Sequence, residues 1–145
     1  MINLSISLLI PTTAEDVWEA LTNPELIAQY FFGTNCQCDW KKGSPITFSG
    51  EFNGTSYLDK GTILDIDPLH FMEYDYFSSF SGLEDLPENY KIIRYELHEE
   101  NGQTTFTVKQ NNFDTEEARD HSQKSWAMIM EGLSRVAINL SNQSE

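Results

Sequence analysis

The stretch VWEALTNPELIAQYFF, Val17 to Phe32, is two short helical patterns broken at one point and unusually rich in rings. Val17, Trp18 and Leu21 share one face of the first pattern, and Leu26, Ile27, Tyr30 and Phe31 share one face of the second. The break is Thr22-Asn23-Pro24-Glu25: Asn23 is suited to cap a second helix whose first position Pro24 occupies. Gly33 is a natural stop. Upstream, Thr12 or Thr13 can cap the first helix, and their spacing to Glu15 or Asp16 fits a capping box. Neither piece is long enough to stand alone, so both must lean on something larger.

Working outward, the N-terminal MINLSISLLI alternates Leu4, Ile6, Leu8 and Ile10 with Asn3, Ser5 and Ser7. That alternation is a half-buried strand, and with no basic residue before the apolar run it does not read as a signal peptide. Beyond Phe32 the period stays near two from about Asn35 to Asn112. Ile46, Phe48 and Phe52 oppose Thr47, Ser49 and Glu51. YLDKGTILDIDP ends in an Asp67-Pro68 turn, with Asp65 and Asp67 on the outer face and Leu64 and Ile66 on the other. Met72, Tyr74 and Tyr76 then face away from Glu73 and Asp75. A hairpin turning near Asn101-Gly102 would carry Ile93, Tyr95 and Leu97 inward, followed by Phe106 and Val108. Short turns and the absence of crossover helices make this an antiparallel meander. The last element is one long amphipathic helix, with Trp126, Ile129, Met130, Leu133, Val136, Ala137 and Leu140 at three- and four-residue spacing. Asp114 is the expected cap and Glu117 its partner. One loop, Ser78 to Asn89, carries the apolar residues Phe80, Leu83 and Leu86.

At 145 residues the expectation is a single domain over 1–145, able to bury about 70% of its unfolded surface. The net charge is −14, from 23 acids against nine bases. No basic patch exists to displace counterions from a phosphate backbone, so nucleic acid is excluded as a partner, and anionic membrane surfaces are disfavoured. No apolar run approaches membrane-spanning length. Cys36 and Cys38 lie two apart, too close for an unstrained bridge, with no further ligands to complete a zinc set. Free thiols in a reducing compartment, the cytoplasm, are the expectation.

Strand, two short helices, long meander and C-terminal helix together resemble the helix-grip fold of the START and birch-pollen-allergen (SRPBCC) superfamily. IPTTAEDVWEALTNPE, GTILDIDPLHFMEYDY and HSQKSWAMIMEGL resemble the family related to the activator of heat-shock protein 90 ATPase. The likeness covers nearly the whole chain. It implies an α+β fold with a curved antiparallel sheet wrapped around the long helix. It further implies a stress-response setting and a second functional reading, a co-chaperone module that stimulates a heat-shock chaperone ATPase. The eukaryotic activator carries a separate chaperone-binding module, whereas one domain is the expectation here. Ser125 stands before Trp126 where the family usually has Gly, a change that would narrow a neighbouring cavity.

No acid, base, nucleophile or metal set converges in the sequence. His70, His98 and His121 are scattered, Ser122 and Ser125 lack a nucleophile elbow, and the glycines form no phosphate loop. No catalytic residue, metal or cofactor is therefore assigned. A third reading, an enzyme of the cyclase or hydratase kind found in the superfamily, would be tested at His70 or Glu73. The leading expectation is a non-enzymatic domain with an internal pocket for a small hydrophobic or amphipathic ligand. Its lining would be Phe48, Tyr74, Tyr76, Tyr95, Gln110, Trp126 and Met130, with Phe31, Phe32 and Phe80 as the gate. Buried phenols and amides need partners, so they are either satisfied within a packed core or offered to a ligand, and both alternatives stay open. Outward Phe71 and Phe77 would suit a homodimer; a monomer is the alternative.

Overall fold

In the computed structural model, which describes residues 2–79 and 81–143 (Phe52 and Gln143 by backbone alone), every alternating segment becomes a strand. Strand β1 is Ile2–Ile10, β2 Asn35–Cys38, β3 Pro45–Phe52, β4 Thr55–Asp67, β5 Phe71–Tyr76, β6 Lys91–Glu100 and β7 Gln103–Phe113. Helices α1 (Ala14–Thr22) and α2 (Pro24–Tyr30) follow β1, and α3 (Glu116–Gln143) closes the chain. The strands form one antiparallel sheet in the order β1-β7-β6-β5-β4-β3-β2. It is a meander from β2 to β7 with β1 added at the end, and α3 lies against it in contact with β1, β7, α1 and α2. This is the helix-grip architecture.

The caps show why the helices start where they do. Asn23 accepts the Glu25 N–H at 3.0 Å, and Thr13, not Thr12, accepts the Asp16 N–H at 3.3 Å. Thr12 instead donates to the Asp16 carboxylate at 2.6 Å. Glu99 of β6 takes the Ala14 N–H at 2.6 Å and so ties α1 to the sheet. In α3 the cap is Thr115, whose hydroxyl accepts the Ala118 N–H at 3.0 Å, in place of the expected Asp114. A helix beginning at Glu116 puts residue 115, not 114, within reach of the third N–H.

The inner face of the sheet is the apolar set read from alternation: Met72, Tyr74, Ile93, Tyr95, Leu97, Phe106 and Val108 are all buried. From α3, Trp126, Met130, Leu133 and Ala137 complete the core. β4 departs from plain alternation beside the site. A bulge between Ile63 and Asp65 turns Ile63 inward opposite Tyr74 and leaves Leu64 half-buried, where Leu64 and Ile66 were expected to share a face. Asp65 and Asp67 are exposed as expected. Next to the bulge, a methyl group at Gly61 would sit 1.7 Å from the Asp75 carbonyl oxygen, so β4 and β5 approach too closely for any side chain. Gly132 plays the same part between α3 and α2, where a methyl group would lie 2.7 Å from Tyr30 Cβ.

Neither aromatic proposed for an outward surface stands free. Phe77 is buried and stacks on Tyr90 at 5.3 Å, and Phe71 lies under the Arg94 guanidinium at 4.3 Å. No helix of the described residues is long and apolar enough to cross a membrane.

Candidate functional site

At the end of α2 the chain turns sharply, and the rings of the broken-helix stretch are delivered there. Phe31 is the helix's C-cap, and Phe32 and Gly33 follow with left-handed φ of 57° and 75°. Gly33 closes the end by donating to the Ala28 carbonyl at 3.0 Å. A bulky residue rarely adopts Phe32's conformation, yet its ring is 71% exposed. Phe31 points the other way. It stacks on Phe48 at 5.6 Å and meets the Trp126 ring edge-on at 6.4 Å, so it bridges β3 and α3.

Two clefts open on either side of Phe31. The larger, about 360 Å³, lies over β3 and β4, with Phe31, Phe32, Phe48 and Tyr76 as its aromatic wall. Its polar groups are Thr34, Glu51, Tyr57 and Asp59. The smaller, about 190 Å³, runs between the sheet and the first half of α3. Tyr74, Tyr76, Ile93 and Gln110 line it from the sheet, and Ser122, Ser125, Trp126 and Ile129 from the helix. Phe31 and Tyr76 belong to both.

Of the residues expected to line a pocket, the structure gathers Phe48, Tyr74, Tyr76, Gln110 and Trp126 around these clefts. Tyr95 borders a void of about 10 Å³ beneath Phe31 and lines neither cleft, and Met130 is packed in the core. Phe31 and Phe32 stand at the mouth, while Phe80 lies outside the described residues. Leu83 and Leu86 of the 78–89 loop are exposed. His70 and Glu73 belong to the sheet's far side, where the His70 Nδ1 lies 3.2 Å from the Asp67 carboxylate and Glu73 pairs with Arg94 at 3.7 Å. Among the described residues no three metal-ligating side chains gather, and both cysteines are free.

Among the described residues the buried polar side chains are paired. Tyr74 and Tyr95 share a hydrogen bond of 2.7 Å, and the Trp126 indole N–H donates to Gln110 at 2.9 Å. The Tyr76 hydroxyl donates to Asp59 at 2.5 Å. Ser79, from the start of the 78–89 loop, donates to the other Asp59 oxygen through its N–H at 2.8 Å and its hydroxyl at 3.0 Å. Burial holds the Tyr74, Tyr76 and Tyr95 phenols well above their ordinary range, with the neighbouring phenol or carboxylate adding to the effect at Tyr74 and Tyr76. Burial likewise pushes the Cys36 thiol up to about 12.

Sequence reasoning missed Thr34, Glu51, Tyr57 and Asp59. Parity is one clue, legible once Ile63 is known to face inward: Asp59 shares parity with Tyr57, Gly61 and Ile63, so an acid stands on the inward face of β4 opposite Phe48. Gly50 was the second clue. A methyl group there would press on the Tyr57 ring, at 2.9 Å from its hydroxyl, so glycine lets that ring cross β3 and donate to Thr34 at 2.8 Å.

A family model described as activator of Hsp90 ATPase homolog 1-like protein matches residues 11–137. The chain belongs to that family. Among solved structures, the solution structure of ChR145 from Cytophaga hutchinsonii is 37% identical, with 98% of this chain and 97% of that chain covered and a TM-score of 0.85. The fold is shared at lower identity by the Aha1 dimer of Colwellia psychrerythraea (18% identical, 92% and 94% covered, TM-score 0.71). CalU16 of Micromonospora echinospora shares it too (18% identical, 93% and 75% covered, TM-score 0.70). No curated protein matches the sequence significantly. Family and fold together support an SRPBCC-type binding domain.

Proposed function

We propose that this domain binds one small amphipathic molecule in the paired clefts, without transforming it. The observation that carries this reading is the shared wall: Phe31 and Tyr76 border both clefts, so an occupant of one contacts residues of the other. A helix-grip core could be filled by aliphatic groups alone. Here its mouth is instead ringed by aromatics with a few fixed polar groups, the composition of a small-molecule site. Phe32, held in a left-handed conformation and largely exposed beside the larger cleft that it lines, acts as the outer gate.

Native mass spectrometry of freshly purified protein, followed by denaturing extraction, tests the reading. An added mass lost on denaturation and weakened by Trp126→Ala supports it. A bare mass, together with no chemical-shift change at the cleft residues on adding small aromatic amphipaths, refutes it. Family membership favours a competing reading, a co-chaperone surface acting on a heat-shock chaperone. Stimulation of the chaperone's ATPase by this protein, undiminished by Trp126→Ala, would favour that surface over the clefts.

A further inference from the structure

We infer that the ligand of the larger cleft carries a positive charge, and that Asp59 is the group that receives it. This rests on the pocket reading above and adds the ligand's chemical class.

Asp59 is 8% exposed on the inner face of β4, beside Phe48 and below Tyr76. Its hydrogen-bond donors among the described residues, the Tyr76 hydroxyl and the Ser79 N–H and hydroxyl, are all neutral. Among the described residues it has no Lys, Arg or His partner, and no residue lining the cleft is basic. The neighbouring Lys60 is drawn away, its ammonium held by Asp85 at 2.5 Å. A carboxylate so enclosed ordinarily has a cation beside it, because neutral donors compensate its lost hydration only in part. Here no cation comes from the described residues. The cleft offers one: it is open to solvent at Phe32, and Glu51 adds a second acid at its rim.

The rest of the cleft suits the same guest. Phe48 contacts both Phe31 and Tyr76, with centroids 5.6 Å apart for Phe31–Phe48 and 5.9 Å for Phe48–Tyr76. Such faces attract an organic ammonium and bury its hydrocarbon body. An anionic amphipath would meet two acids and no base. The occupant is therefore an amine with an aromatic or aliphatic body, small enough for about 360 Å³.

Three probes with one bicyclic body separate the possibilities: 1-naphthylmethylamine, 1-naphthylmethanol and 1-naphthoate, titrated by calorimetry and amide chemical shifts at pH 7. The amine should bind at least tenfold more tightly than the alcohol, with the carboxylate weakest. Because the whole chain is acidic at −14, a diffuse attraction for amines must be distinguished from a local one. Asp59→Asn removes one charge of the fourteen, so loss of the amine's advantage with the alcohol still bound places the effect at Asp59. Glu51→Gln, at the exposed rim, keeps the test usable if the Asp59 variant folds poorly, and should cost the amine about twofold through the weaker rim charge. Equal binding of amine and alcohol overturns the inference and leaves the pocket reading standing, as does a preference that Asp59→Asn leaves intact. Failure of all three probes at millimolar concentration overturns both.

Discussion

Gly61→Ala should be among the most damaging single-methyl changes in this protein. The added carbon would lie 1.7 Å from the Asp75 carbonyl oxygen and 2.7 Å from its carbon. Carbon–oxygen contacts settle near about 3.3 Å, so β4 and β5 would have to part by more than an ångström. The bonds in the way are Lys60 N–H to Phe77 O at 3.1 Å, Phe77 N–H to Lys60 O at 2.8 Å, and Thr62 N–H to the Asp75 carboxylate at 2.7 Å. Overpacking costs about 1–3 kcal/mol and each opened hydrogen bond about 1, so losing two gives about 3–5 kcal/mol. For a domain of this size that is a fall in Tm of roughly 10–15 °C. Urea unfolding followed by circular dichroism measures it, with Gly54→Ala as the reference. Gly54 has a φ of 79° but open space around it, so alanine there meets conformational strain alone, about 1–2 kcal/mol. If the two variants lose equal stability, the close approach of β4 and β5 at Gly61 is wrong.

The remaining expectations concern the polar groups and the gate. Tyr74→Phe leaves the Tyr95 hydroxyl without its 2.7 Å partner and should cost about 1–3 kcal/mol; adding Tyr95→Phe should recover part of that, a coupling that a double-mutant cycle in urea reads directly. Burial raises Tyr30, Tyr74, Tyr76 and Tyr95 in the folded state. The unfolded chain releases these protons first, so the associated stability is fully present below about pH 10 and falls above it, by up to about 1.4 kcal/mol per pH unit for each phenol. Stability measured in urea from pH 8 to 11 should bend downward near 10, and a flat profile would contradict the burial of these phenols. Phe32→Gly relieves the left-handed strain, so stability should stay within about 1 kcal/mol of the parent while any bound ligand dissociates faster. Unchanged release by native mass spectrometry would remove Phe32 from the gate.

Much of the fold was legible because period and punctuation agreed. Alternation placed Tyr74, Tyr95 and Val108 on the buried face, and Asn23-Pro24 located the helix break to the residue. What alternation could not show was where it is interrupted. The bulge after Ile63 changes which residues of β4 face inward, and only pairing with Tyr74 fixes that register. The site was half-legible for the same reason. Aromatics on inward positions named Phe48, Tyr76 and Trp126, but nothing local separates a ring that walls a cleft from one, like Tyr95, sealed in the core. Asp59 was passed over because an acid in a strand usually means a solvated face, whereas its parity with Tyr57 and Ile63 turned it inward.

Asp59 also joins the cleft to the loop beside it. One carboxylate oxygen holds Tyr76, on the wall that both clefts share, and the other holds Ser79, where the 78–89 loop begins. The far part of that loop is fixed separately, by Lys60 to Asp85 and by the Tyr90 hydroxyl to Asp85 at 2.6 Å. Those outer contacts are exposed and worth little each. The inner contact is buried, so it dominates the loop's attachment at the cleft. A guest that competes with Tyr76 or Ser79 for Asp59 would therefore disturb wall and loop together. One that only adds charge to the carboxylate would leave both in place. The second fits the inferred cationic guest better, because both Asp59 oxygens are already held, one by Tyr76 and the other by Ser79, while Asp59 still lines the cleft.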